Sequence, residues 1–249
     1  MKEILGRVRR ADADYAMISP GDRIAVGVSG GKDSLLLLRA LALYRKYSPN
    51  PFTIEALTVT LGFEPFDLSG VAEMCDGLEI PLRVKRTEIG KVIFGERKEK
   101  NPCALCSKMR RGALSELCLE LGINKIALGH HRDDALETLL LSLFYEGRIH
   151  AFQPVTYLSR TGITQIRPFS YVPEKLIIHW ANKLKLPVVK SPCPADGHTK
   201  REDMKAFLDC VCKKIPNARE QMLSALRNEG QYGLWEKPKT GNNAARVIR

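Results

Sequence analysis

A run of six residues near the N-terminus combines the features that bind phosphate. The sequence SGGKDS (29–34) follows a short apolar run, RIAVGV (23–28), and precedes a leucine-rich segment. Adjacent glycines permit a sharp turn and a close approach to a ligand. A helix that begins there would present unpaired N–H groups to an anion, and Lys32 adds a full positive charge. We therefore predict a phosphate loop between a strand and a helix, with hydroxyl donors at Ser29 and Ser34.

This loop differs from the two commonest nucleotide-binding patterns. The pattern G-x-x-x-x-G-K followed by Ser or Thr is typical of nucleoside triphosphatases. Here three residues separate Gly27 from Gly31, and Asp33 follows Lys32. The dinucleotide pattern G-x-G-x-x-G is also missing from the loop. The sequence therefore excludes both of these classes.

A second polar cluster, GHHRDD (129–134), also lies between a predicted strand and a predicted helix. The carboxyl ends of the strands are where ligands bind in such folds. We predict that His130 lies near the nucleotide and that Asp134 binds Mg²⁺ at the phosphates, because Mg²⁺ prefers carboxylate and phosphate oxygens. Asp133 is interpreted as a helix cap. A dedicated transition-metal site formed by the histidines and aspartates is the alternative.

The cysteines divide into two groups. Cys103 and Cys106 form a C-x-x-C at a predicted helix start, where the helix N-terminus favours thiolates. The pair alone is compatible with half a zinc site, a redox pair or part of an iron–sulfur cluster. Cys193, between two prolines, is the best third candidate. The others are interpreted as structural, buried small residues: Cys75, Cys118, Cys210 and Cys212.

Strands and helices alternate along the chain, which predicts an α/β fold with a Rossmann-like parallel sheet covered on both faces. The predicted strands are 23–28, 54–60, 81–84, 125–128 and 163–166, and the predicted helices are 33–47, 68–79, 104–121, 133–144 and 173–186. Two further helices, 200–212 and 216–228, have no strand between them. We therefore predict an α/β domain over residues 1–192 and a small helical appendage with a basic tail over residues 193–249.

Composition points to a polyanionic partner. The chain has 249 residues, with 39 Lys and Arg against 28 Asp and Glu, a formal net charge of +11. This excess favours nucleic acid, with Lys108, Arg110, Arg111, Lys200 and Arg201 as candidate contacts. The sequence lacks a membrane-spanning apolar run and the apolar segment of a signal peptide. We expect a cytoplasmic protein with reduced cysteines, and no membrane partner.

The motifs SGGKDS, PCALCSKMRRG (102–112) and LGHHRDDALETLLLSLFY (128–145) resemble those of the PP-loop ATP pyrophosphatases, specifically the tRNA 2-thiolation branch that includes the tRNA 2-thiocytidine synthetases. The resemblance extends from about residue 15 to about residue 226. It implies an adenine-nucleotide α-hydrolase type of sheet. It also implies a tRNA sulfurtransferase that adenylates the C2 oxygen of a tRNA pyrimidine, cytidine being favoured. Sulfur from a 4Fe-4S cluster then replaces AMP, and pyrophosphate is released.

The resemblance implies a role for each candidate residue. Catalysis is expected at Lys32, Asp33, Cys103, Cys106 and Cys193. ATP is expected at Ser29, Gly30, Gly31, Lys32, Ser34, Thr58, Gly129, His130 and Arg167, with the Arg167 guanidinium on the leaving pyrophosphate. The three cysteines would hold the cluster, and Asp134 would hold Mg²⁺. The implied partners are tRNA and a sulfur donor, either sulfide or a cysteine desulfurase, and a homodimer is an open alternative.

The chain departs from the family pattern at two positions, and alternatives remain open. Asp196 stands where relatives often carry a second cysteine after Cys193, and strand 54–60 runs into TLG (60–62) where relatives often carry Leu-Asp. A zinc site on the three cysteines and His198 competes with the cluster. An amidating enzyme such as a tRNA lysidine synthetase, or a non-catalytic ATP-binding regulator, competes with the thiolation function.

Overall fold

The computed structural model describes residues 1–63, 66–96, 102–189, 193, 200–228 and 230. Its centre is a six-stranded sheet with the strand order β3-β2-β1-β4-β6-β5. The strands are β1 (Asp22–Gly27), β2 (Phe52–Val59), β3 (Leu82–Lys85), β4 (Lys125–Ala127), β5 (Val155–Leu158) and β6 (Ile163–Ile166). The first four strands and β6 pair in parallel. This confirms the predicted Rossmann-like α/β fold.

The edge strand β5 was not predicted, and it runs antiparallel to β6. The connection from Leu158 to Ile163 is short, and both Thr161 N–H and Gly162 N–H donate to the Leu158 carbonyl at 3.0 and 2.8 Å. A tight turn of this kind can join only antiparallel strands, because a parallel connection needs a long crossover. The sheet is therefore mixed, with one antiparallel strand at the edge of a parallel array, a common variation.

One face of the sheet is covered by four helices that share a large apolar core. They are α1 (Lys2–Tyr15), α2 (Lys32–Tyr44), α3 (Ser69–Gly77) and α6 (Glu174–Lys183). Helix α1 was not predicted. Its apolar face is narrow, with Ile4, Val8 and Ala11 buried at helical spacing. The Tyr44 hydroxyl anchors it to α2 by donating to the buried carboxylate of Asp12 at 2.7 Å.

The opposite face is covered by α4 (Pro102–Glu120). The predicted apolar stripe of this helix is confirmed: Cys118 is fully buried against Leu57 and Ile126 of the sheet, and its neighbours pack around it. Proline suits the first position of a helix, because its missing N–H would have no intrahelical partner there. A short π-helix (Lys91–Glu96), also not predicted, precedes α4 in the chain.

The last two helices, α7 (Lys200–Lys214) and α8 (Ala218–Arg227), pack against α5 (Arg132–Glu146) rather than against the sheet. Leu136 and Leu140 of α5 form an apolar cluster with Met204 and Leu208 of α7. Ion pairs surround this cluster, among them Arg132 to Glu220 at 3.0 Å and Asp133 to Arg219 at 2.9 Å. The two helices therefore lie over the first turns of α5, which carry the GHHRDD motif. In the described part of the chain, no helix is long and apolar enough to cross a membrane.

Candidate functional site

The phosphate loop lies where it was predicted, between β1 and α2. Gly30 has a φ of 85°, and a Cβ on it would come within 3.0 Å of the Val189 Cβ, so this position requires glycine. The Ser29 N–H donates to Ser34 Oγ at 3.1 Å, and Ser34 Oγ donates to the Gly31 carbonyl at 2.9 Å. Gly31 precedes α2 without a side-chain cap. The loop is therefore held by its own serines, and the start of α2 is available to an anion.

Lys32 is surrounded by carboxylates. Its Nζ lies 3.2 Å from the Asp33 carboxylate and 3.2 Å from Glu174 Oε1, and Lys205 Nζ lies 2.6 Å from the other oxygen of Glu174. Burial lowers the pKa of Lys32, but Asp33 and Glu174 together outweigh it and raise that pKa above its usual value. Lys32 is therefore a fixed positive charge at the loop. Sequence reasoning missed Glu174, since nothing in its local pattern points to a residue 142 positions away.

His131 connects the phosphate loop to the GHHRDD motif. The His131 ring accepts a hydrogen bond from the Asp134 backbone N–H at 3.3 Å, and the His131 backbone N–H donates to the Asp134 carboxylate at 2.9 Å, which forms a capping box at the start of α5. Its Nε2 lies 3.4 Å from Asp134 Oδ2 and 3.8 Å from Asp33 Oδ1. The carboxylates of Asp33 and Asp134 therefore both lie near the same imidazole nitrogen of His131.

These two carboxylates fit a magnesium–phosphate site. Asp33 Oδ1 is buried and accepts no hydrogen bond among the described residues, although Lys32 is within ion-pair distance. No set of three histidine, cysteine or acidic side chains able to hold a metal ion occurs in the described ranges. Mg²⁺ in phosphate sites uses one or two carboxylates together with phosphate oxygens and water. The arrangement suits that use and does not favour the dedicated transition-metal site.

The sequence suggested that Asp133 caps its own helix, but the residue that caps α5 is His131. Its carboxylate accepts a hydrogen bond from the Glu174 N–H at 2.8 Å, at the start of α6, and pairs with Arg132 and Arg219. Burial raises the pKa of Asp133, but Arg132 and the Glu174 N–H outweigh it and lower that pKa overall. Asp133 therefore positions Glu174, the partner of Lys32.

Gly129 and His130 also lie at the carboxyl end of the sheet. A Cβ on Gly129 would come within 3.0 Å of the Ser34 nitrogen, so this glycine allows β4 to approach the first turn of α2. The His130 side chain is exposed, and its ring packs against Phe152 with 5.2 Å between centroids. The protein that surrounds the rest of the ring lowers the pKa of His130 to about 4, although Asp134 acts in the opposite direction. The imidazole is therefore neutral at physiological pH.

Arg167 follows β6 and is 7% exposed. It donates to the Gln153 carbonyl at 2.6 Å and to Thr156 Oγ1 at 3.2 Å, and its guanidinium lies 4.9 Å from the centroid of Phe152. These partners are neutral, and its Nε has no hydrogen-bond partner among the described residues. Burial, followed by the charge of Arg111, lowers the pKa of Arg167 to about 10. A buried cation with neutral partners is suited to an anionic ligand.

Thr58 lies inside the sheet, where it has no exposed surface, and its Oγ1 has no hydrogen-bond partner among the described residues. Its side chain therefore offers no surface to a nucleotide, which departs from the sequence interpretation.

A cavity of about 370 Å³ lies just beyond Thr58, at the carboxyl ends of β2 and β3, with Thr60 and Phe63 in its lining. Phe66, also in the lining, lies 3.6 Å from the position of a Cβ on Gly30. The cavity therefore adjoins the phosphate loop.

The structure describes part of the cysteine set. Cys103 is the second residue of α4. Its side chain is outside the described part of the structure, and so are Asp196 and His198. Cys106 is half-buried against the apolar cluster of Val59, Ile89 and Ile93. Cys193 is also half-buried, and Val189, four positions before it in the sequence, contacts the phosphate loop, because its N–H donates to the Gly30 carbonyl at 2.9 Å.

The remaining cysteines differ from one another. Cys75 and Cys118 are fully buried, which confirms the structural interpretation for both. Cys212 is half-buried beside the α5–α7 cluster. Cys210 is exposed, so the interpretation as a buried small residue is wrong for that position. It lies on the outer side of α7, where helical periodicity alone could not distinguish it from Cys212.

Arg201 occupies a place that the sequence did not indicate. Its NH1 lies 3.3 Å from Glu137 Oε2 and 3.5 Å from Asp134 Oδ1, and it donates to the Asp134 carbonyl at 3.2 Å. Burial, followed by the charge of Asp134, raises the pKa of Glu137 to about 7, although Arg201 lowers it.

The predicted RNA contacts differ in their surroundings. Lys108, Arg111 and Lys200 are exposed, whereas Arg201 faces Asp134, the candidate magnesium ligand.

Comparison with known proteins agrees with this arrangement. A family model described as a PP-loop domain matches residues 7–208. The chain is 40% identical to a tRNA-cytidine(32) 2-sulfurtransferase of Pelobacter propionicus over 224 residues, 89% of this chain and 83% of that protein. It is 37% identical to the Geobacter sulfurreducens protein of the same name over 230 residues, 91% and 90% of the two chains.

A solved structure is also similar. The U34-tRNA thiolase NcsA from Methanococcus maripaludis, determined with its 4Fe-4S cluster, superimposes with a TM-score of 0.73 at 25% identity. The match covers 91% of this chain and 77% of that one.

Proposed function

This chain belongs to the PP-loop family and, within it, to the tRNA-cytidine(32) 2-sulfurtransferases, and we propose that it uses ATP to replace the C2 oxygen of a tRNA cytidine with sulfur. The observation that carries the proposal is the similarity to those enzymes over most of both chains. The phosphate loop, the paired aspartates and the C-x-x-C are all within the matched residues. By the names of the relatives, the target is cytidine 32.

The first step of the proposed reaction is adenylation. The C2 oxygen of cytidine attacks the α-phosphorus of ATP, the bond to the β-phosphate oxygen breaks, and pyrophosphate leaves. The phosphates bind at the Ser29–Ser34 loop, and Asp134, supported by Asp33, would hold the Mg²⁺ that neutralises part of their charge. The adenine enters the cavity lined by Phe63 and Phe66.

Charge neutralisation provides most of the catalysis in this step. Lys32 and Arg167 neutralise the departing pyrophosphate, and Arg201 and Lys205 add two cations from α7 to the same side of the site. His130, neutral at physiological pH, can donate a hydrogen bond to the nucleotide without adding charge.

The second step transfers sulfur. The donor set fits a 4Fe-4S cluster, because thiolates are the ligands of such clusters and Cys106 is half-buried beside apolar residues that limit access of water. Cys103, Cys106 and Cys193 would hold it, and when bound it would supply an activated sulfur through an iron atom that carries no protein ligand. A sulfur nucleophile bonds to C2, the C2–O bond breaks, and AMP leaves.

The surroundings of the reaction follow from its substrates. We propose that the sulfur comes from sulfide or a cysteine desulfurase, that the protein acts in the cytoplasm with tRNA and ATP, and that a homodimer is one possible assembly. We also propose that residues 193–249 form a helical appendage on the domain of residues 1–192. The packing of α7 and α8 against α5 supports that boundary.

Product analysis tests the adenylation. The proposal predicts AMP and pyrophosphate, formed faster when unmodified tRNA is present. Chromatography of labelled nucleotides separates these products from ADP and phosphate, and ADP as the main product would overturn the proposal.

Metal and sulfide analysis after anaerobic purification tests the cluster. The proposal predicts iron and sulfide in equal amounts on the wild-type protein and their loss from Cys106→Ala. Stoichiometric zinc in place of iron would instead support the zinc alternative.

A further inference from the structure

A second cavity lies beside the candidate active site and has no role in the reaction proposed above. Its volume is about 490 Å³, within the range of sites that hold small molecules. It is bounded by the C-terminal end of α1, the first turn of α5, the loop 149–154, residues 170–171 and the C-terminal half of α8. We call it the α1–α8 cavity.

The walls of the α1–α8 cavity are aromatic and apolar. Tyr15 and Phe152 are both half-buried in its lining, and Leu223 and Leu226 of α8 provide aliphatic surface. Tyr15 packs on Tyr171 with 5.9 Å between ring centroids. Half-buried aromatic rings at the wall of an open cavity offer stacking surface to a planar ligand.

The polar part of the lining includes Asp14 and Arg227, and Arg10 lies beside the cavity on the Tyr171 ring. Asp14 Oδ2 accepts a hydrogen bond from the Tyr171 hydroxyl at 2.8 Å and lies 3.4 Å from Arg227 NH2. The guanidinium groups of Arg10 and Arg227 lie 5.2 and 5.1 Å from the centroid of the Tyr171 ring. Stacking walls, hydrogen-bonding groups and cations at the mouth together match a nucleotide: a planar base, its polar edge and its phosphate.

The cavity adjoins the candidate active site through one side chain. Phe152 lines the cavity, and its ring also packs against His130 and under the Arg167 guanidinium. A ligand that contacts Phe152 in the cavity is therefore one side chain away from His130 and Arg167. Two nucleotides of one RNA strand that are splayed apart can occupy sites this close.

From these observations we infer that the α1–α8 cavity binds one unstacked nucleobase of the RNA substrate, a neighbour of the nucleotide that reacts. The inference rests on the proposed function. Proteins that recognise single-stranded RNA loops commonly splay bases out and stack them on aromatic side chains. The net charge of +11, Arg227 in the lining and Arg10 beside it favour an RNA strand over a neutral ligand of similar shape. The cavity thus contributes to the choice of tRNA loop.

Substitution of Tyr15 tests the inference. Tyr15→Leu removes the aromatic plane and keeps apolar bulk, whereas the matched Tyr15→Phe keeps the plane and loses only the hydroxyl. We expect Tyr15→Leu to weaken tRNA binding by about 10-fold, the scale of one base stack, and to leave ATP affinity unchanged. Tyr15→Phe should bind tRNA like the wild type. Thermal unfolding of both variants establishes that they are folded.

A cross-linking experiment serves as the second measurement, since it needs no change at a buried position. Ile149, which lines the cavity and is 50% exposed, is replaced as Ile149→p-benzoylphenylalanine. The control is Tyr47→p-benzoylphenylalanine, at a residue that is 58% exposed and outside the cavity. We expect light-induced cross-links from position 149, and not from position 47, to a loop nucleotide adjacent to the thiolated cytidine.

The outcomes separate the inference from the proposed function. If wild-type protein thiolates tRNA while folded Tyr15→Leu binds tRNA normally, or if the cross-link joins a stem nucleotide or residues of the protein's own C-terminal segment, only the inference falls. Binding of free AMP or CMP that is lost in Tyr15→Leu, with tRNA affinity unchanged, would assign the cavity to a free nucleotide and also overturn it. If the wild type neither binds nor thiolates tRNA, the proposed function falls, and the inference falls with it.

Discussion

At the level of single residues, the phosphate loop depends on how Lys32 is shared between carboxylates and phosphate. Asp33 and Glu174 hold the Lys32 ammonium in place and keep it charged. ATP phosphates would compete with those carboxylates for the same cation. A Lys32→Ala change should therefore lower AMP formation by about 100-fold or more, in the range found for removal of one preorganised charge-stabilising group.

The matched control for this prediction is Lys46→Ala, which removes the same charge from an exposed position just after α2. Rates of AMP formation at saturating tRNA provide the measurement. Equal rates for Lys32→Ala and wild type would mean that the loop does not bind the reacting phosphates.

The buried cysteines give a second prediction at this level. Burial, with a smaller effect of Glu55, raises the pKa of Cys118 to about 12, and burial with Asp76 raises the pKa of Cys75 to about 11. Because the thiolate is the reactive form, both residues should resist alkylation by iodoacetamide at pH 8 in the native protein. Exposed Cys210 should react. Peptide mass spectrometry locates the label, and rapid native labelling of Cys118 would contradict the structure.

Much of the candidate site could be predicted at the residue level, and the reason is local. The phosphate loop and the GHHRDD motif each combine a strand end, a helix start and polar side chains within six residues. Glu174 and Arg201 could not be predicted, because their importance comes from three-dimensional contacts with Lys32 and Asp134. The capping role of His131 was missed because histidine is not a usual N-cap residue.

Among the secondary-structure elements, α7 has the most direct effect on the site. It carries Arg201 to Asp134 and Glu137, and Lys205 to Glu174. If these cations assist the departing pyrophosphate, Arg201→Ala should lower the rate of AMP formation by about 10-fold or more, and Arg201→Lys should recover part of it. Lys213→Ala, at an exposed position on the same helix, is the control.

Two measurements distinguish this role from a structural one. A purely structural Arg201 would change the melting temperature of the variants and leave both the ATP KM and the affinity for pyrophosphate at wild-type values. We expect the affinity for pyrophosphate to fall in Arg201→Ala. An unchanged affinity, measured by calorimetry, would remove Arg201 from the phosphate site.

The anchoring of α1 is a further property at this level. The Tyr44 hydroxyl donates to Asp12, whose other oxygen accepts the Ile18 N–H at 2.9 Å, and the Asp12 side chain is buried. Tyr44→Phe leaves a buried carboxylate short of one donor, which should cost about 1–3 kcal/mol of unfolding free energy. Urea denaturation measures it. Tyr47→Phe, at an exposed ring, should change stability by less than about 0.5 kcal/mol, and equal effects of the two would contradict the anchor.

The sequence predicted most of the strands and helices and missed α1, β5 and the short π-helix. Strands β1, β2 and β4 and helices α2, α4 and α5 are confirmed to within a few residues, because buried runs and helical stripes are strong signals. Helix α1 was missed because its buried face is narrow and surrounded by charged residues. The tight turn at Gly162 makes β5 antiparallel to β6. Because β5 itself was not predicted, the sequence did not show that this turn joins two strands.

For the whole molecule, the parallel sheet explains why distant motifs form one site. The loop after β1, the GHHRDD motif after β4 and Arg167 after β6 must meet at one edge, because the carboxyl ends of parallel strands lie together. That much could be predicted from the order of elements. The docking of α7 and α8 on α5 could not, because amphipathic helices alone do not specify which surface they cover. It is this docking that brings Arg201 to Asp134 and Lys205 to Glu174.

Thiolation of a tRNA cytidine by this chain is tested most directly by nucleoside mass spectrometry of tRNA after reaction. Unmodified tRNA is incubated anaerobically with the reconstituted protein, ATP, Mg²⁺ and sulfide, then digested to nucleosides. We predict 2-thiocytidine with wild-type protein and none with Cys106→Ala or without ATP. Reconstituted wild-type protein that contains its iron and sulfide, forms AMP with tRNA and yet yields no 2-thiocytidine would contradict the account.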